Sequence, residues 1–574
     1  MENNVNWNDI DTRWYGSYGD MPKSLDYPDY SLYEAVVQST MKYPKNIAYN
    51  YFGVKVNYMD FLKQIDDVAK SFKKLNIKKG DKVTICMPNT PEAVITFYAL
   101  NKIGAIANMV HPLSAQNEIK HYLKISESVA VLTIDIVYDI FKRISCETMV
   151  KNIIVATPSD SMPKHMKVLY RITQPKVKVS KDRNSITWND FIKLGKSISH
   201  DTNENTDGQY PAAILYSGGT TGKPKGILLS NLNFNSLALQ GLAFAGADHT
   251  DSMLAIMPIF HGFGLGVCVH TVYSLGATNI LVPRFDVKNF HKLLKKYKPT
   301  FMAGVPTLWE SMIKNKKMDS VDLSYLKVVI SGGDSLSVSL KRRMDQFLKD
   351  HGATIQVREG YGLTECVTGT CLNPVHMCKE GSVGIPYPDT FYKIVKPGTT
   401  EKVDIGEEGE ICLSAPTVML EYLNEPEETD NVLKIHKDGL KWLHTGDLGY
   451  MDEEGWVYFK LRIKRLIVSS GYNIYPQQLE NIIDNHPYVH VSAVIGIPHP
   501  YKMQVAKAFI VLKNDVVATD EVKNSICDYC KKNLARYAMP YEFEYRDELP
   551  KTLVNKVDYT LLERESIAKL ESEV

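Results

Sequence analysis

The sequence has almost no net charge. Its 67 basic and 66 acidic residues leave a formal charge of +1 over 574 residues. A protein that wraps nucleic acid needs a basic surface to neutralise the phosphates, so this balance argues against nucleic acid as a partner. Any anionic ligand must therefore be bound by local features of the chain.

Long hydrophobic segments are also missing. The first 20 residues are polar and acidic, without the basic start and apolar stretch of a signal peptide. The longest uncharged stretch, residues 263–282, is interrupted by glycines, a histidine and an asparagine. It therefore predicts a buried helix followed by a strand rather than a membrane span. Both absences predict a cytoplasmic protein without a transmembrane anchor.

Cysteine is scarce and scattered. The nine cysteines are an odd number and extend from Cys86 to Cys530, which argues against a disulfide framework and for a reducing compartment. Only Cys527 and Cys530 have CxxC spacing, and no second pair of cysteines or histidines completes a zinc site. Helix packing is therefore favoured for this pair over metal or redox chemistry.

The chain is longer than a domain with one ordinary hydrophobic core, so we expect more than one domain. Short β-rich patterns alternate repeatedly with longer helical patterns along it. Lys82–Met87 followed by Glu92–Ile103 is one example, and strands at 302–305 and 328–331 continue the pattern. The alternation predicts layers of parallel α/β sheet.

The pattern changes in the C-terminal part of the chain. Residues 393–461 are dominated by short strands and turns and predict a small β-barrel-like subdomain. Beyond Arg462, alternating strands and helices predict a compact α+β domain. We expect an α/β fold with a large N-terminal domain at 1–461, a hinge at 460–464 and a small mobile domain at 462–574.

The most informative segment is a loop at 216–226, after the strand-like run 212–215. Its early glycines let backbone amides approach an anion, while its hydroxyls and lysines add donors and positive charge. It is not a Walker A loop, because the glycine spacing is one residue short and Pro224 follows Lys223. The pattern predicts a polyphosphate site, with these candidate ligands: Ser217, Gly218, Gly219, Thr220, Thr221 and Lys225.

This loop resembles the phosphate signature of the adenylate-forming superfamily, which comprises acyl-CoA synthetases, luciferases and peptide-synthetase adenylation domains. Further motifs follow in family order from about residue 30 to Lys556, and the chain looks most similar to bacterial long-chain fatty acyl-CoA ligases. The resemblance implies that ATP and Mg²⁺ convert a carboxylate, such as a medium- or long-chain fatty acid, to an acyl-adenylate, and that coenzyme A accepts the acyl group.

Residues 358–365 resemble the second signature of that family. The resemblance implies that Tyr361 stacks on adenine, that Thr364 contacts the α-phosphate and that Glu365 holds Mg²⁺, which suits a hard carboxylate. The other nucleotide-site residues that it implies in this region are Gly333, Asp334, Glu359, Gly360 and Gly362.

Three later residues match the family's sugar and catalytic positions. Asp447 resembles the aspartate that accepts hydrogen bonds from both ribose hydroxyls. Arg462 resembles the linker arginine that reaches the nucleotide sugar. Lys556 resembles the lysine that bridges the carboxylate and the α-phosphate, where an ammonium group stabilises charge developing during adenylation. The resemblance therefore implies catalytic roles for Lys556, Thr364 and Glu365.

Two segments resemble the binding sites for the acyl group and coenzyme A. In the motif at 258–264, His261 stands near the position where amino-acid-selecting domains carry an aspartate, and its neighbours are apolar or small. This favours a plain acyl chain, with His261, Phe263 and Gly264 as pocket residues. Packing in the core remains the alternative for His261. The residues that resemble the pantetheine loop are Ser470, Gly471 and Tyr472.

Several positions depart from the family pattern and leave alternatives open. They are Glu421 and Asn555 in place of glycines, Leu461 before the linker arginine, and Tyr559 where an arginine is common. A catalytically silent nucleotide-binding regulator is one alternative, and an acyl-AMP ligase that loads a carrier protein is another. The segment 158–183 is basic with interleaved apolar residues, which predicts either peripheral contact with a membrane or a solvated loop.

Overall fold

The computed structural model describes residues 5–173, 179, 184–217, 224–469, 472–534, 538–552 and 556–572. Within these ranges the helices are α1 Leu32–Lys42, α2 Tyr58–Lys74, α3 Pro91–Lys102, α4 Gln116–Ser126, α5 Tyr138–Ile144, α6 Lys164–Thr173, α7 Trp188–Gly195, α8 Asn231–Ala245, α9 Thr271–Leu275, α10 Phe290–Tyr297, α11 Pro306–Lys314, α12 Val338–Asp350, α13 Pro426–Val432, α14 Pro476–Asp484, α15 Asp520–Asn533 and α16 Tyr559–Ser572.

The strands in the same ranges are β1 Ile47–Tyr51, β2 Val54–Asn57, β3 Lys82–Cys86, β4 Ile106–Met109, β5 Ala130–Ile134, β6 Asn152–Ala156, β7 Ser185–Thr187, β8 Pro211–Tyr216, β9 Gly226–Ser230, β10 Ser252–Ala255, β11 Thr278–Leu281, β12 Phe301–Gly304, β13 Val328–Ser331, β14 Val357–Gly362, β15 Gly369–Leu372, β16 Ile385–Pro386, β17 Phe391–Val395, β18 Gly409–Ser414, β19 Glu421–Tyr422, β20 Leu433–Ile435, β21 Lys441–Met451, β22 Val457–Arg462, β23 Ile467–Ser469, β24 Tyr472–Ile474, β25 Val489–His499, β26 Met503–Leu512 and β27 Glu542–Arg546.

The chain forms two compact units. The first unit consists of residues 1–392, 413–443 and 454–456, and the second unit consists of residues 393–412, 444–453 and 457–574. A large N-terminal part and a small C-terminal part are therefore present, as predicted. The single boundary between residues 461 and 462 stays a prediction, because strands β17, β18 and β21 each contain residues of both units.

Two sheets form the first unit. Their strand orders are β19-β9-β8-β4-β3-β5-β6-β7 and β16-β15-β14-β13-β12-β10-β11-β1-β2. The central strands pair in parallel, whereas antiparallel pairs lie towards the ends of the sheets. Every residue of α3 is buried, so this helix is covered on all sides. The predicted layers of parallel α/β sheet are confirmed.

The long uncharged stretch at 263–282 is helical and then extended. It forms a π-helix at Phe263–His270, continues as α9 and ends with β11. The predicted buried helix and strand are therefore confirmed. A search of the described residues finds no helix with the length and apolar character needed to span a bilayer.

The second unit contains a sheet with the order β24-β23-β26-β25, to which β27 adds beside β26. Alternate residues of β26 belong to separate apolar clusters, with Ala508 and Ile510 in one and Phe509 and Val511 in the other. This period of two shows that both faces of the sheet are covered. Residues 462–572 therefore have the predicted α+β character.

The remaining sheet has the order β17-β18-β21-β20, with β22 paired to β21, and confirms the predicted β-rich character of residues 393–461. The nine cysteines all lie within the described residues, and none of them forms a disulfide. Cys527 and Cys530 lie in α15, where Cys530 is buried in an apolar cluster. Their spacing thus reflects packing of a helix, as predicted.

Candidate active site

The predicted phosphate loop connects two antiparallel strands. Tyr216 at the end of β8 pairs with Gly226 at the start of β9. Ser217 and Lys225 therefore lie at the two ends of a hairpin connection. Residues 218–223 lie outside the described residues, so the phosphate contacts of Gly218, Gly219, Thr220 and Thr221 stay predictions.

Tyr422 connects this loop to the second signature. Its hydroxyl donates a hydrogen bond to Oε1 of Glu365 at 2.8 Å. The Nζ atom of Lys225 lies 4.7 Å from the centre of the Tyr422 ring and also forms an ion pair with Glu428. The structure thus brings together a predicted phosphate ligand and the predicted Mg²⁺ ligand.

The sequence motifs do not predict Tyr422. Its position depends on the antiparallel pairing of β19 with β9, in which Tyr422 lies opposite Ile227. Glu421, the departure from a common glycine, is exposed in the same short strand. In the sequence, the only indication of a role for Tyr422 is its position next to Glu421, which departs from the family pattern.

Glu365 is suited to a magnesium ion. It lies in the short 3₁₀ turn Thr364–Cys366 and is partly exposed, and its main-chain oxygen accepts a bond from the Met419 amide at 2.7 Å. Magnesium is commonly bound through one or two protein carboxylates, with waters and phosphates as the other ligands. A single carboxylate anchored by Tyr422 fits that donor set.

The predicted adenine site is formed by two adjacent parallel strands. Ser331, the last residue of β13, pairs with Glu359 of β14. Residues 332–334 therefore leave the sheet beside residues 360–362, which continue β14 and pair with β15. Gly333 has a φ of +79°, a conformation that favours glycine, and Gly333 and Asp334 are exposed. Tyr361 is partly exposed.

Glu359 is a buried carboxyl at the start of the predicted adenine site. Burial raises the pKa of Glu359 to about 7, and the positive charge of Lys341 opposes the rise. Near neutral pH this carboxyl can be protonated, and a protonated carboxyl can donate a hydrogen bond as well as accept one. Its predicted part in ATP binding stays a prediction.

A strained turn follows the second signature. Val367 has a φ of +62° and a ψ of −59°, and the Thr368 amide donates to the Cys366 carbonyl at 2.7 Å, so the three residues form a γ-turn. A β-branched residue in this conformation costs about 1–3 kcal/mol. A Cβ atom on Gly262 would lie 1.6 Å from the Val367 carbonyl oxygen. The acyl motif therefore contacts the turn next to Thr364 and Glu365.

The predicted acyl-pocket residues lie at the start of the π-helix. A Cβ atom on Gly264 would lie 2.0 Å from the Pro258 carbonyl oxygen, so this position requires glycine. The Phe263 ring would lie 3.6 Å from a Cβ atom on Gly332, which places it beside the predicted adenine site. His261 is partly buried and its Nδ1 accepts a bond from the Phe263 amide at 3.2 Å. Both interpretations of His261, pocket wall and packed residue, stay open.

The predicted ribose ligands face each other across two strands of the second unit. Asp447 of β21 lies opposite Arg462 of β22, and the Arg462 Nε is 2.9 Å from Asp447 Oδ1. The Asp447 side chain is buried, whereas that of Arg462 is 47% exposed. The structure therefore brings these two residues together. Leu461, the departure from the family pattern, is buried and pairs with Leu448.

Lys556 closes a turn near the C-terminus. Its amide donates to Thr552 Oγ1 at 3.2 Å, and its carbonyl accepts from the Thr552 amide at 2.7 Å. Asn555 lies outside the described residues, as do Ser470 and Gly471 of the predicted coenzyme A loop. Tyr472 begins β24, and its backbone pairs with Ser469.

Comparison with known proteins identifies relatives of nearly full length. Residues 36–423 match the family model of the AMP-binding enzyme, and residues 478–556 match that of the AMP-binding enzyme C-terminal domain. A long-chain-fatty-acid–CoA ligase of Bacillus subtilis is 33% identical over 95% of this chain and 96% of its own length. One from Haemophilus influenzae is 31% identical over 97% of this chain and 99% of its own. ATP-bound MatB from Rhodopseudomonas palustris superposes with a TM-score of 0.82 at 23% identity, covering 94% of this chain and 99% of that protein.

Proposed function

The chain belongs to the family of AMP-binding enzymes and is an acid–thiol ligase that acts through an acyl-adenylate, and from this premise we propose that its substrate is a long-chain fatty acid. The observation that carries the proposal is the similarity, along nearly the whole chain, to two ligases named for long-chain fatty acids. The apolar and small residues around Phe263 and Gly264 agree with an uncharged acyl chain.

The residues of the first unit would hold the nucleotide. A carboxylate is a poor electrophile, so AMP must be attached to it before a thiol can attack. Lys225 and the backbone of the loop at 217–226 would bind the phosphates, and Thr364 would contact the α-phosphate. The adenine would stack on Tyr361 beside the backbone at 332–334. Magnesium held by Glu365 would neutralise the charge on the phosphates.

The residues of the second unit would have their own parts in the reaction. Asp447 offers two acceptor oxygens for the two ribose hydroxyls, and Arg462, already paired with it, would contact the sugar. Lys556 would stabilise the charge that develops as the carboxylate attacks the α-phosphate. Ser470, Gly471 and Tyr472 would lie along the pantetheine of coenzyme A during thioester formation. Since the two steps need different groups, we expect the small domain at 462–574 to move between them.

A panel of acids tests the proposed substrate class. With ATP and coenzyme A present, we expect kcat/KM for hexadecanoate to exceed that for octanoate by at least about 100-fold, because burial of only three or four of its additional methylenes, at about 0.8 kcal/mol each, supplies about 2.7 kcal/mol. Mass spectrometry of acyl-CoA and AMP gives the rates. Faster turnover of acetate or an aromatic acid would contradict the proposal, and product formation with an acyl carrier protein but not with coenzyme A would favour the carrier-loading alternative.

We also propose that α6 contacts an anionic membrane surface. Residues 164–173 form a helix rather than a loop, and Val168, Leu169 and Ile172 lie on one side of it with exposures of 58%, 60% and 76%. Lys164 is exposed on the same side. Apolar side chains beside a basic residue are suited to an interface with acidic lipids. Such contact would bring the enzyme to a fatty acid dissolved in the bilayer.

A vesicle flotation assay checks this contact. We expect the double variant Leu169→Ser and Ile172→Ser to bind phosphatidylglycerol vesicles about tenfold less than the original chain, since it removes apolar area that the bilayer would bury. The control carries Ile435→Ser and Val517→Ser, two side chains that are 62% and 75% exposed elsewhere. Equal binding by both double variants, or equal binding to neutral and anionic vesicles, would contradict the proposal.

A further inference from the structure

Three side chains of the second unit meet beside the Lys556 turn. The guanidinium carbon of Arg465 lies 3.5 Å from the centre of the Tyr559 ring. The Nη2 atom of the same arginine donates to Glu480 Oε1 at 2.8 Å. These residues come from three separate elements: Arg465 ends the 3₁₀ turn Ile463–Arg465 after β22, Glu480 lies within α14, and Tyr559 is the first residue of α16.

The cluster is buried and its charges are paired. The side chains of Arg465 and Glu480 are 19% and 10% exposed. The Val494 amide also donates to Glu480 Oε1 at 2.8 Å. Burial raises the pKa of Glu480, while Arg465 and a hydrogen bond from Tyr559 oppose the rise. Burial lowers the pKa of Arg465, but attraction to Glu480 and Tyr559 and hydrogen bonds with both together raise it above its usual value. The arginine therefore stays charged over its aromatic partner.

Tyr559 is connected directly to the turn that carries Lys556. The Asp558 amide donates to the Pro550 carbonyl at 2.8 Å, and Lys551 and Val557 form an isolated β-bridge. These contacts, together with those between Thr552 and Lys556, close the base of the turn. One residue beyond that base, Tyr559 lies against Arg465. The contact between Tyr559 and Arg465 therefore links the position of this turn to the segment that follows Arg462.

The geometry points to a positioning role: Arg465, Tyr559 and Glu480 form a clamp that holds Lys556 in place for adenylation. The clamp also accounts for a departure from the family pattern. Tyr559 stands where an arginine is common, and here Arg465 places a buried positive charge from another element over the Tyr559 ring. The inference rests on the role proposed for Lys556, because the clamp acts through that residue and does not itself touch the substrate.

Half-reaction kinetics of Tyr559 variants test the clamp. Adenylation is measured as pyrophosphate release with hexadecanoate and ATP, and thioester formation is measured from synthetic hexadecanoyl-AMP and coenzyme A. We expect Tyr559→Ala to lower kcat for adenylation about 10- to 30-fold, because it removes a desolvated cation–π contact. The KM for ATP should change by less than about twofold. Thioester formation should stay within about twofold, because it does not use Lys556. Tyr559→Phe keeps the ring and should recover most of the adenylation rate.

Controls separate this inference from the proposed function. Tyr541→Ala removes a tyrosine that is 64% exposed in the same unit and should leave both half-reactions unchanged. If Tyr559→Ala slows both half-reactions equally and lowers the melting temperature, the residue is structural and the clamp is overturned. Full adenylation by Tyr559→Ala, where Lys556→Ala is slowed by about 10²-fold or more, overturns the clamp alone. Full adenylation by Lys556→Ala overturns the role of the lysine itself.

Discussion

Lys556→Ala is expected to reduce the rate of adenylation by about 10²- to 10³-fold while ATP binding remains detectable. The ammonium group is proposed to stabilise charge that grows on the carboxylate and α-phosphate in the transition state, whereas most phosphate contacts in the ground state are proposed to come from residues of the first unit. Pyrophosphate release with hexadecanoate measures the rate, and calorimetric titration with ATP measures binding.

A matched lysine controls for the loss of charge. Lys551 lies in the same C-terminal segment, is exposed, and precedes the turn that Lys556 closes. Lys551→Ala should therefore retain adenylation within about twofold. Unchanged adenylation in Lys556→Ala would remove this lysine from the mechanism, and a matching loss of ATP affinity would make it a ground-state binding residue instead.

Gly362→Ala is expected to have the largest effect on stability among substitutions in the second signature. A Cβ atom on Gly362 would lie 1.4 Å from the Thr368 carbonyl oxygen, which belongs to the backbone and cannot rotate away. Strands β14 and β15 would have to separate at the point where Tyr361 and Thr364 are positioned. We expect the free energy of unfolding to fall by about 3 kcal/mol or more, with adenylation lost in any protein that folds.

The neighbouring glycine of the same strand pair provides the control. Gly369 lies opposite Gly362, and a Cβ atom there would meet the Tyr387 ring at 3.5 Å, which is ordinary contact. Gly369→Ala should change the free energy of unfolding by about 1 kcal/mol or less. Differential scanning calorimetry of the two variants measures the difference. Equal stability of both would contradict the close approach of the two strands.

The ordering of secondary structure was accessible from the sequence because it depends on local periodicity. Lys82–Met87 and Glu92–Ile103 correspond to β3 and α3, and residues 263–282 form the predicted helix followed by a strand. The division into two units was less accessible. The second unit includes residues 393–412 and 444–453, which are separated along the chain from its main part at 457–574. These segments join the second unit through strand pairing between distant residues, which no local sequence pattern indicates.

The candidate site divides in the same way. Its ligand types are indicated by glycine, hydroxyl and charged residues at characteristic spacings, from which, together with the resemblance to the family, Glu365, Asp447 and Lys556 were predicted as site residues. Tyr422 was not, because it reaches Glu365 through the pairing of β19 with β9. Tyr559 was recognised as a departure, but its contact with Arg465 depends on the packing of α16.

By itself, the sequence determined the order of the elements, the family and the chemistry that the motifs can support, because each of these depends on motifs formed by residues close together along the chain. Tertiary structure alone decided which side chains support those motifs: Tyr422 behind Glu365, the Val367 turn against Gly262, and Arg465 over Tyr559. The physical reason is that these contacts join residues far apart in sequence, and only packing and strand pairing bring them within bonding distance.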